Sequence, residues 1–139
     1  MREIYHCLLI KAPVEKVYKS VTEKSGLSGW WTKNVDAQPV EGSISTFRFG
    51  TGAFNKMKVK SLDTNKVEWE CVDGHTEWIN TKISFELHTV DSKTKLIFSH
   101  YNWPQQSEFC AECSFIWAFY LQSLKDFCET GRGTPNQGN

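Results

Sequence analysis

Residues 107–131 read SEFCAECSFIWAFYLQSLKDFCETG, a long apolar stretch near the C-terminal end of the chain. Its apolar side chains recur with the period of an α-helix and form one stripe, which comprises Cys113, Trp117, Tyr120, Leu121, Leu124 and Cys128. The stripe is widened by Phe109, Ile116, Phe119 and Phe127. Gly131 is a typical C-terminal cap, so we predict a helix over residues 107–130. A helix this broadly apolar is expected to lie against a sheet.

The sheet that this helix needs is predicted upstream, between Ser43 and Tyr101. In that segment apolar and polar residues alternate, as they do in strands with one buried face and one wet face. Val67, Trp69 and Cys71 share one face, for example, and two glutamates lie between them on the other. The alternation predicts a run of antiparallel hairpins.

The pairing of these hairpins follows from keeping like faces together, because residues directly opposite each other lie on the same side of a sheet. Around residues 91–92 this requires an even loop, which pairs Phe85 with Phe98. Around residues 63–65 it favours a three-residue loop with a left-handed Asn65, which pairs Val59 with Trp69.

The N-terminal part of the chain completes the order of elements. Residues 2–11 alternate and predict a first strand, and Pro13 suits the first turn of a helix after it. A second short helix is predicted from Leu27 to Trp31. The order is strand, two short helices, five more strands and a long helix. It predicts an α+β protein with a six-stranded antiparallel sheet.

This order and its local wording resemble the activator of Hsp90 ATPase homologue 1-like family of the START/Bet v1-like (SRPBCC) superfamily. The resemblance spans nearly the whole chain and rests on residues 10–18 (IKAPVEKVY), 27–31, Gly42, 96–100, Trp103, Trp117-x-x-x-Leu121-x-x-Leu124 and 129–135. It implies a helix-grip fold, in which a curved sheet wraps around the C-terminal helix and a cavity lies between them. Known relatives include lipid carriers, polyketide cyclases, aromatases and chaperone regulators.

The ends of the chain bound the predicted domain. Residues 134–139 contain turn formers and nothing to bury, so we predict a flexible tail there. The domain is accordingly predicted to cover residues 1–133 as a single START/Bet v1-like unit.

The composition argues against several classes of partner. The 139 residues include 16 basic and 16 acidic ones, which is not the basic excess that nucleic acids or anionic membrane surfaces require. No apolar run approaches the ~20 residues of a membrane span, and the N-terminus lacks the apolar run of a signal peptide. The odd count of five cysteines then predicts reduced thiols in a cytoplasmic protein.

Large aromatic side chains are the strongest feature of the composition, with six tryptophans and nine phenylalanines. These rings either fill the core or leave a gap beside the helix, and an apolar pocket with few polar groups is the usual site for a small ligand. The predicted ligand-binding residues are Trp31, Phe47, Phe49, Met57, Trp69, Phe85, Phe98, His100, Trp117 and Tyr120.

Two histidines are candidate polar groups on the cavity wall. The alternation places His100 on the buried face of its strand, opposite Ile83. His6 is also on the buried face of its strand, which this fold places beside the last strand. They are either satisfied core residues or an acid–base group or ligand anchor. His100 and His6 are therefore the candidates for catalysis.

The segment Cys110-Ala111-Glu112-Cys113 has the spacing of a redox or metal motif. A redox pair of this kind usually opens a helix that follows a strand, and a zinc site needs a second ligand pair. The sequence offers only a partial match to the first context and none to the second, so we interpret Cys113 as a small core residue. A glycine-rich phosphate loop is lacking, and we predict neither a metal nor a cofactor.

Three functional hypotheses remain open. The leading one is a non-catalytic module that binds a small hydrophobic or aromatic ligand, with His100 orienting it. The second is an enzyme similar to polyketide cyclases and aromatases that uses a cavity histidine. The third is a protein-interaction domain, which contacts either a chaperone of the Hsp90 type or a second copy of itself as a homodimer.

Overall fold

The alternating segments pair into one curved antiparallel sheet. The computed structural model describes residues 3–139, and its strands are β1 (Glu3–Ile10), β2 (Asn34–Asp36), β3 (Ile44–Phe49), β4 (Ala53–Asp63), β5 (Lys66–Asp73), β6 (Lys82–Val90) and β7 (Lys93–Tyr101). Within the described residues the strand order is β1-β7-β6-β5-β4-β3-β2, and every neighbouring pair is antiparallel. The predicted domain begins at residue 1 and the predicted first strand at residue 2. Residues 1 and 2 lie outside the described part of the chain.

Within residues 3–139, three helices accompany the sheet. The first two, α1 (Val14–Thr22) and α2 (Lys24–Trp30), connect β1 to β2, and α3 (Glu108–Thr130) packs across the apolar face of the sheet. Ser107 caps α3 by accepting a hydrogen bond from the N–H of Cys110, and Gly131 ends it with a φ of 84°. This arrangement confirms the predicted helix-grip fold. No helix within residues 3–139 has the length and apolarity needed to cross a membrane.

In the described part of the chain the sheet has seven strands rather than the predicted six. The additional strand is β2, which pairs with β3 so that Val35 lies opposite Phe47. A three-residue strand is too short for a two-residue period to be recognised, which is why the sequence pattern missed it. It forms the edge of the sheet opposite to β1.

The predicted register of the β6–β7 hairpin is confirmed. Phe85 lies opposite Phe98, and the loop is the two residues Asp91 and Ser92. Both loop residues have positive φ angles, 50° and 65°. Such a turn twists in the same sense as the strands that it joins, and the apolar faces of both strands stay together.

The β4–β5 hairpin confirms one part of the prediction and corrects another. Val59 lies opposite Trp69 as predicted, but the register then shifts so that Ser61 lies opposite Glu68. The shift is a bulge at Lys60, which adds one residue to β4. Because the bulge keeps the apolar faces aligned, the loop needs only Thr64 and Asn65, and the three-residue loop was wrong.

The C-terminal half of α3 is fastened to the end of β1. The ammonium group of Lys125 donates to the backbone oxygen of Leu9 at 2.7 Å. Glu129 accepts hydrogen bonds from the N–H of Lys11 and from Lys125, both at 2.7 Å, and these bonds lower the pKa of its carboxyl. These bonds hold the C-terminal half of α3 against β1. The N-terminal half of α3 is separated from β3 and β4 by a pocket.

Residues 134–139, for which the sequence predicts a flexible tail, run back along the edge of the sheet. The N–H of Asn136 donates to the backbone oxygen of Trp31 at 2.8 Å, and the N–H of Lys33 donates to the oxygen of Asn136 at 2.9 Å. The N–H of Thr51 donates to the oxygen of Asn139 at 3.2 Å. Backbone groups, which the composition does not reveal, make these contacts.

Candidate functional site

A pocket opens between the N-terminal half of α3 and the end of the sheet formed by β3 and β4. It has a volume of about 370 Å³, within the range typical of small-molecule sites. Four parts of the chain form it: the end of α2, the β3–β4 hairpin, the connection between β5 and β6, and α3. Its lining residues are Trp31, Phe49, Ala53, Phe54, Asn55, His75, Trp78, Phe109, Cys113, Ile116, Trp117 and Tyr120.

Three tryptophans form the inner wall of the pocket. The ring centroid of Trp117 lies 5.0 Å from that of Trp31 and 6.1 Å from that of Trp78, and the rings of Trp117 and Trp78 are nearly parallel. The indole N–H of Trp78 donates to the Cys113 sulfur at 3.4 Å. These contacts hold the rings in place, so the wall is already formed in the structure.

The predicted ligand-binding residues divide into two layers. Trp31, Phe49, Trp117 and Tyr120 line the pocket. The others lie deeper, where they fill the space between the pocket and the sheet with 2% or less of their surface exposed: Phe47, Met57, Trp69, Phe85, Phe98 and His100.

His100 is at the centre of a buried hydrogen-bond chain. Its Nδ1 accepts from the indole N–H of Trp117 at 3.1 Å, so its proton is on Nε2, which lies 2.8 Å from the Thr81 hydroxyl. That hydroxyl accepts from His100 and donates to the backbone oxygen of Trp78. Because an indole N–H can only donate, every hydrogen bond in this series is donated in the direction from Trp117 to the backbone oxygen of Trp78.

Burial keeps the His100 ring neutral. The side chain has no exposed surface, and desolvation lowers its pKa from 6.5 to about 3. Both ring nitrogens are already engaged with protein groups, so His100 supplies no free base or acid to the pocket. Its position supports the interpretation as a satisfied core histidine.

His6 lies apart from His100. The register places His6 opposite Phe98 and His100 opposite Ile4. The Nε2 of His6 lies 3.2 Å from the backbone oxygen of Ser114. His6 borders a separate cleft of about 140 Å³ between β1 and α3, with Cys7, Leu8, Ala118, Leu121 and Gln122. The two predicted histidines therefore do not form one polar group on the pocket wall.

Asn55 is a pocket residue that the sequence analysis missed. It lies on β4, on the same face as Met57 and Val59, and is 5% exposed. Its amide oxygen Oδ1 is buried and has no hydrogen-bond partner among residues 3–139. The signal was available, because a polar residue whose parity matches that of the core residues on its strand is predicted to point inward.

The connection between β5 and β6 supplies two further pocket residues that have no strand or helix periodicity, His75 and Trp78. The His75 ring stacks on Phe109 with centroids 3.9 Å apart, and its Nδ1 accepts from the N–H of Glu77 at 3.1 Å. His75 is exposed and lies at the mouth of the pocket.

The two cysteines of the C-x-x-C segment lie on the first turns of α3 as buried free thiols. Burial raises the pKa of Cys113 to about 11 and also raises that of Cys110. Both are thus protonated at neutral pH, which makes them poor nucleophiles and poor metal ligands. Among residues 3–139, no cluster of His, Cys, Asp and Glu has the geometry to hold a metal ion.

A second concavity, of about 460 Å³, lies outside the β3–β4 hairpin and is bordered by polar residues such as Asn34, Arg48 and Lys56 together with the C-terminal tail. Arg48 is paired there with Asp36 at 3.0 Å. This concavity is open to solvent, and fewer aromatic side chains line it than line the pocket beneath α3.

A curved antiparallel sheet closed by a C-terminal helix over an aromatic pocket defines a helix-grip protein of the START/Bet v1-like class. Within that class, the chain belongs to the Activator of Hsp90 ATPase homolog 1-like protein family, whose sequence model matches residues 11–129. No curated protein matches the chain.

Solved structures agree with this assignment. The chain is 39% identical to the protein in the solution structure of the Aha1 dimer from Colwellia psychrerythraea, with a TM-score of 0.88 over 96% of this chain and 100% of that one. A crystal structure from Mesorhizobium loti matches with a TM-score of 0.79 at 16% identity, over 90% and 95% of the two chains. DynU16, from the dynemicin biosynthetic locus, matches with a TM-score of 0.80 at 18% identity, over 96% of this chain and 49% of that one. The last two are similar in fold alone.

Proposed function

We propose that this protein binds a small, uncharged aromatic ligand in the pocket between α3 and the β3–β4 hairpin. The observation that carries the proposal is the inner wall of Trp31, Trp78 and Trp117, three large rings that border an opening of about 370 Å³. Aromatic faces favour stacked and edge-to-face contacts with other rings. The fold is compatible with ligand binding.

The charge of the pocket supports an uncharged ligand. Its lining residues within the described part of the chain include no Lys, Arg, Asp or Glu. A charged ligand would lose its hydration in such a site without gaining an opposite charge, which is costly. An apolar ring system instead gains from the removal of its surface from water.

A binding titration with simple probes tests this proposal. We expect 1-methylindole and 2-methoxynaphthalene to shift the indole N–H resonances of Trp78 and Trp117 in ¹H–¹⁵N spectra, with Kd values of about 10 µM to 1 mM, as expected for fragments of this size. Neither probe carries a hydrogen-bond donor. Saturable shifts at these two resonances support the proposal, and their absence contradicts it.

One aromatic residue of the pocket and one outside it provide a pair of variants. Phe109 lines the pocket, whereas Tyr5 on β1 is 61% exposed and does not. We expect Phe109→Ala to weaken probe binding about tenfold, since it removes part of the wall. Tyr5→Ala should bind as the wild type does. Equal effects of the two substitutions would place the probes elsewhere.

The enzyme hypothesis gains no support from the surroundings of His100, because both ring nitrogens are engaged and burial keeps the ring neutral. The hypothesis of chaperone contact rests on the family relationship alone. The observation that favours a second candidate function concerns the exposed face of α3.

We propose in addition that this face of α3 contacts a second copy of the chain. Phe115, Ile116 and Phe119 lie within one and a half turns and are 82%, 51% and 52% exposed. Clustered apolar side chains of this size on a surface are typical of an interface. The relative that is 39% identical is described as a dimer. Ile116 also lines the pocket, so the interface would adjoin the pocket mouth.

Light scattering after size-exclusion chromatography tests the dimer. We expect the wild-type protein to have twice the mass of one chain and the double variant Phe115→Ser/Phe119→Ser to be monomeric. The control is Tyr5→Ser/Leu9→Ser, which removes exposed apolar side chains from β1 and should leave the dimer intact. A monomeric wild type, or a control that dissociates while the α3 variant does not, contradicts this interface.

A further inference from the structure

Among the residues that line the pocket, Asn55 carries a buried side-chain amide. Asn55 is 5% exposed, and its Oδ1 has no hydrogen-bond partner among residues 3–139. A buried acceptor without a partner destabilises the folded state, so such groups are rare unless they have a role. The other residues on this face of β4, Met57 and Val59, are apolar.

The chain approaches Asn55 closely on one side. Gly74, just after β5, has a φ of 134°, and a Cβ at this position would lie 3.1 Å from the Cα of Asn55 and 2.9 Å from the backbone oxygen of Phe54. Only a glycine fits this close approach without a shift of the backbone. Gly74 therefore lets the β5–β6 connection, which carries His75 and Trp78, close over the amide and complete the pocket around it.

We propose that the Asn55 side chain turns its buried Oδ1 towards the pocket when a ligand enters, and that Oδ1 then accepts a hydrogen bond from the ligand. The ligand is accordingly an aromatic molecule with an N–H or O–H group on its inner end. This inference rests on the proposed ligand-binding function and specifies the class of ligand. Three tryptophans bind the ring system, and Asn55 selects rings that carry a donor over rings of equal size that lack one. A phenol, an indole or an aromatic amide meets this requirement.

The amide contributes to selectivity rather than to folding. A site built to accept a hydrogen bond discriminates against an analogue that cannot donate one, because its own polar group is then left unpaired. The same group contributes nothing to the stability of the ligand-free protein. Replacing it with an apolar side chain of similar size should therefore stabilise that protein while impairing recognition of the ligand.

Two pairs of matched compounds test the inference: indole with 1-methylindole, and 2-naphthol with 2-methoxynaphthalene. The two compounds of each pair differ by one methyl group, which replaces the hydrogen of the donor. With the wild-type protein we expect the donor compound of each pair to bind about three- to tenfold more tightly, the range of a net hydrogen bond. The titration follows the indole N–H resonances of Trp78 and Trp117 and the side-chain amide resonances of Asn55.

Asn55→Leu is the decisive variant. We expect it to lower the affinity for indole and 2-naphthol to that of their methylated partners, to leave the methylated compounds unchanged, and to raise the melting temperature of the ligand-free protein. Should this variant fail to fold, the side-chain amide resonances of Asn55 in the wild-type titration decide the question. Indole and 2-naphthol should shift them more than their methylated partners do, and equal shifts contradict the inference.

The outcomes separate the two proposals. If the methylated compounds bind the wild-type protein as tightly as the donors do, or more tightly, the role of Asn55 is overturned while the proposed function stands. If all four compounds leave Trp78 and Trp117 unshifted, the proposed function fails, and the inference fails with it.

Discussion

His100 connects the core to the pocket wall through two of its neighbours. Its Nδ1 accepts from the indole of Trp117, and its Nε2 is linked through the Thr81 hydroxyl to the backbone oxygen of Trp78. Both tryptophans line the pocket. The residue that sequence parity predicted as a ligand contact therefore positions two pocket-lining rings from behind. It is a positioning residue.

The first prediction concerns pH. Burial lowers the pKa of His100 to about 3 in the folded protein, against about 6.5 in the unfolded chain. Below pH 6.5 the unfolded chain therefore binds one more proton than the folded protein. The free energy of unfolding should fall as the pH drops from 6.5 towards 3, by up to about 1.4 kcal/mol per pH unit. Urea unfolding at pH 7.5, 6.5, 5.5 and 5.0 measures this slope.

A variant without the titrating ring provides the control for that slope. His100→Gln has no group with a shifted pKa at this position, so between pH 5 and pH 6 its slope should be shallower than that of the wild type by about 1 kcal/mol per pH unit. The other histidines are common to both proteins and cancel in the comparison. Equal slopes would show that His100 is charged, or exposed, in the folded state.

The second prediction concerns the hydroxyl that links His100 to Trp78. Thr81→Val keeps the shape of the side chain but leaves the Nε2–H of His100 without a partner, whereas the backbone oxygen of Trp78 keeps the bond that it accepts from the N–H of residue 81. We expect a loss of about 2–3 kcal/mol in the free energy of unfolding, since an unpaired buried group costs about 1–3 kcal/mol and this one lies in the centre of the core. Unfolding monitored by tryptophan fluorescence measures it.

Thr81→Ser is the matched control, because it keeps the hydroxyl and loses only a methyl group. Its expected loss is about 1 kcal/mol. A serine variant as unstable as the valine variant would mean that packing, and not the hydrogen-bond chain, is what Thr81 contributes.

At the scale of elements, the hairpins show two ways to keep an apolar face together. In β6–β7 a tight two-residue turn does so with no irregularity, and in β4–β5 a bulge at Lys60 takes up one extra residue. The β6–β7 turn requires positive φ at Asp91 and Ser92, which is unfavourable for residues with a side chain.

The third prediction follows from that turn. Ser92→Gly removes the Cβ that disfavours a φ of 65°, and we expect it to stabilise the protein by about 0.5–1 kcal/mol after the greater freedom of glycine in the unfolded chain is counted. Ser92→Ala keeps the Cβ and should bring no gain. Thermal unfolding compares the two variants, and an alanine variant as stable as the glycine variant would argue against a left-handed Ser92.

At the scale of the whole molecule, the C-terminal residues connect parts of the chain that are far apart in sequence. Asn136 is hydrogen-bonded to the backbone of Trp31 and of Lys33, and Asn139 accepts from Thr51 in the β3–β4 hairpin. Trp31 and this hairpin both border the pocket. The tail therefore supports the outer side of the pocket from the edge of the sheet.

The fourth prediction is that removal of residues 134–139 destabilises the protein by about 1–3 kcal/mol, the net contribution of the backbone hydrogen bonds that are lost. Amide hydrogen exchange at Lys33 and Thr51 should become faster. A chain that lacks only Asn139 should lose the protection of Thr51 and keep that of Lys33. Unchanged stability and unchanged exchange in the shorter chain would support the flexible tail that the composition predicts.

The sequence by itself determined the class of fold and most of the pairing. Helix and strand periods depend on neighbouring residues, so the apolar stripe of α3 and the alternation of β3 to β7 were readable before any contact was known. The register of β6 with β7 followed from parity and loop length alone. The bulge at Lys60 and the short β2 did not, because each depends on the partner strand rather than on its own residues.

Only the tertiary structure decided which inward residues fill the core and which border the pocket. Parity assigns a side chain to a face of the sheet, but its depth depends on where α3 crosses that face. Phe47 and Phe49 have the same parity, and one is buried while the other lines the pocket. Likewise, the state of His100 depends on Thr81 and Trp117, which are distant in sequence. Periodicity is a local property, whereas packing depth and hydrogen-bond partners arise only when distant segments meet.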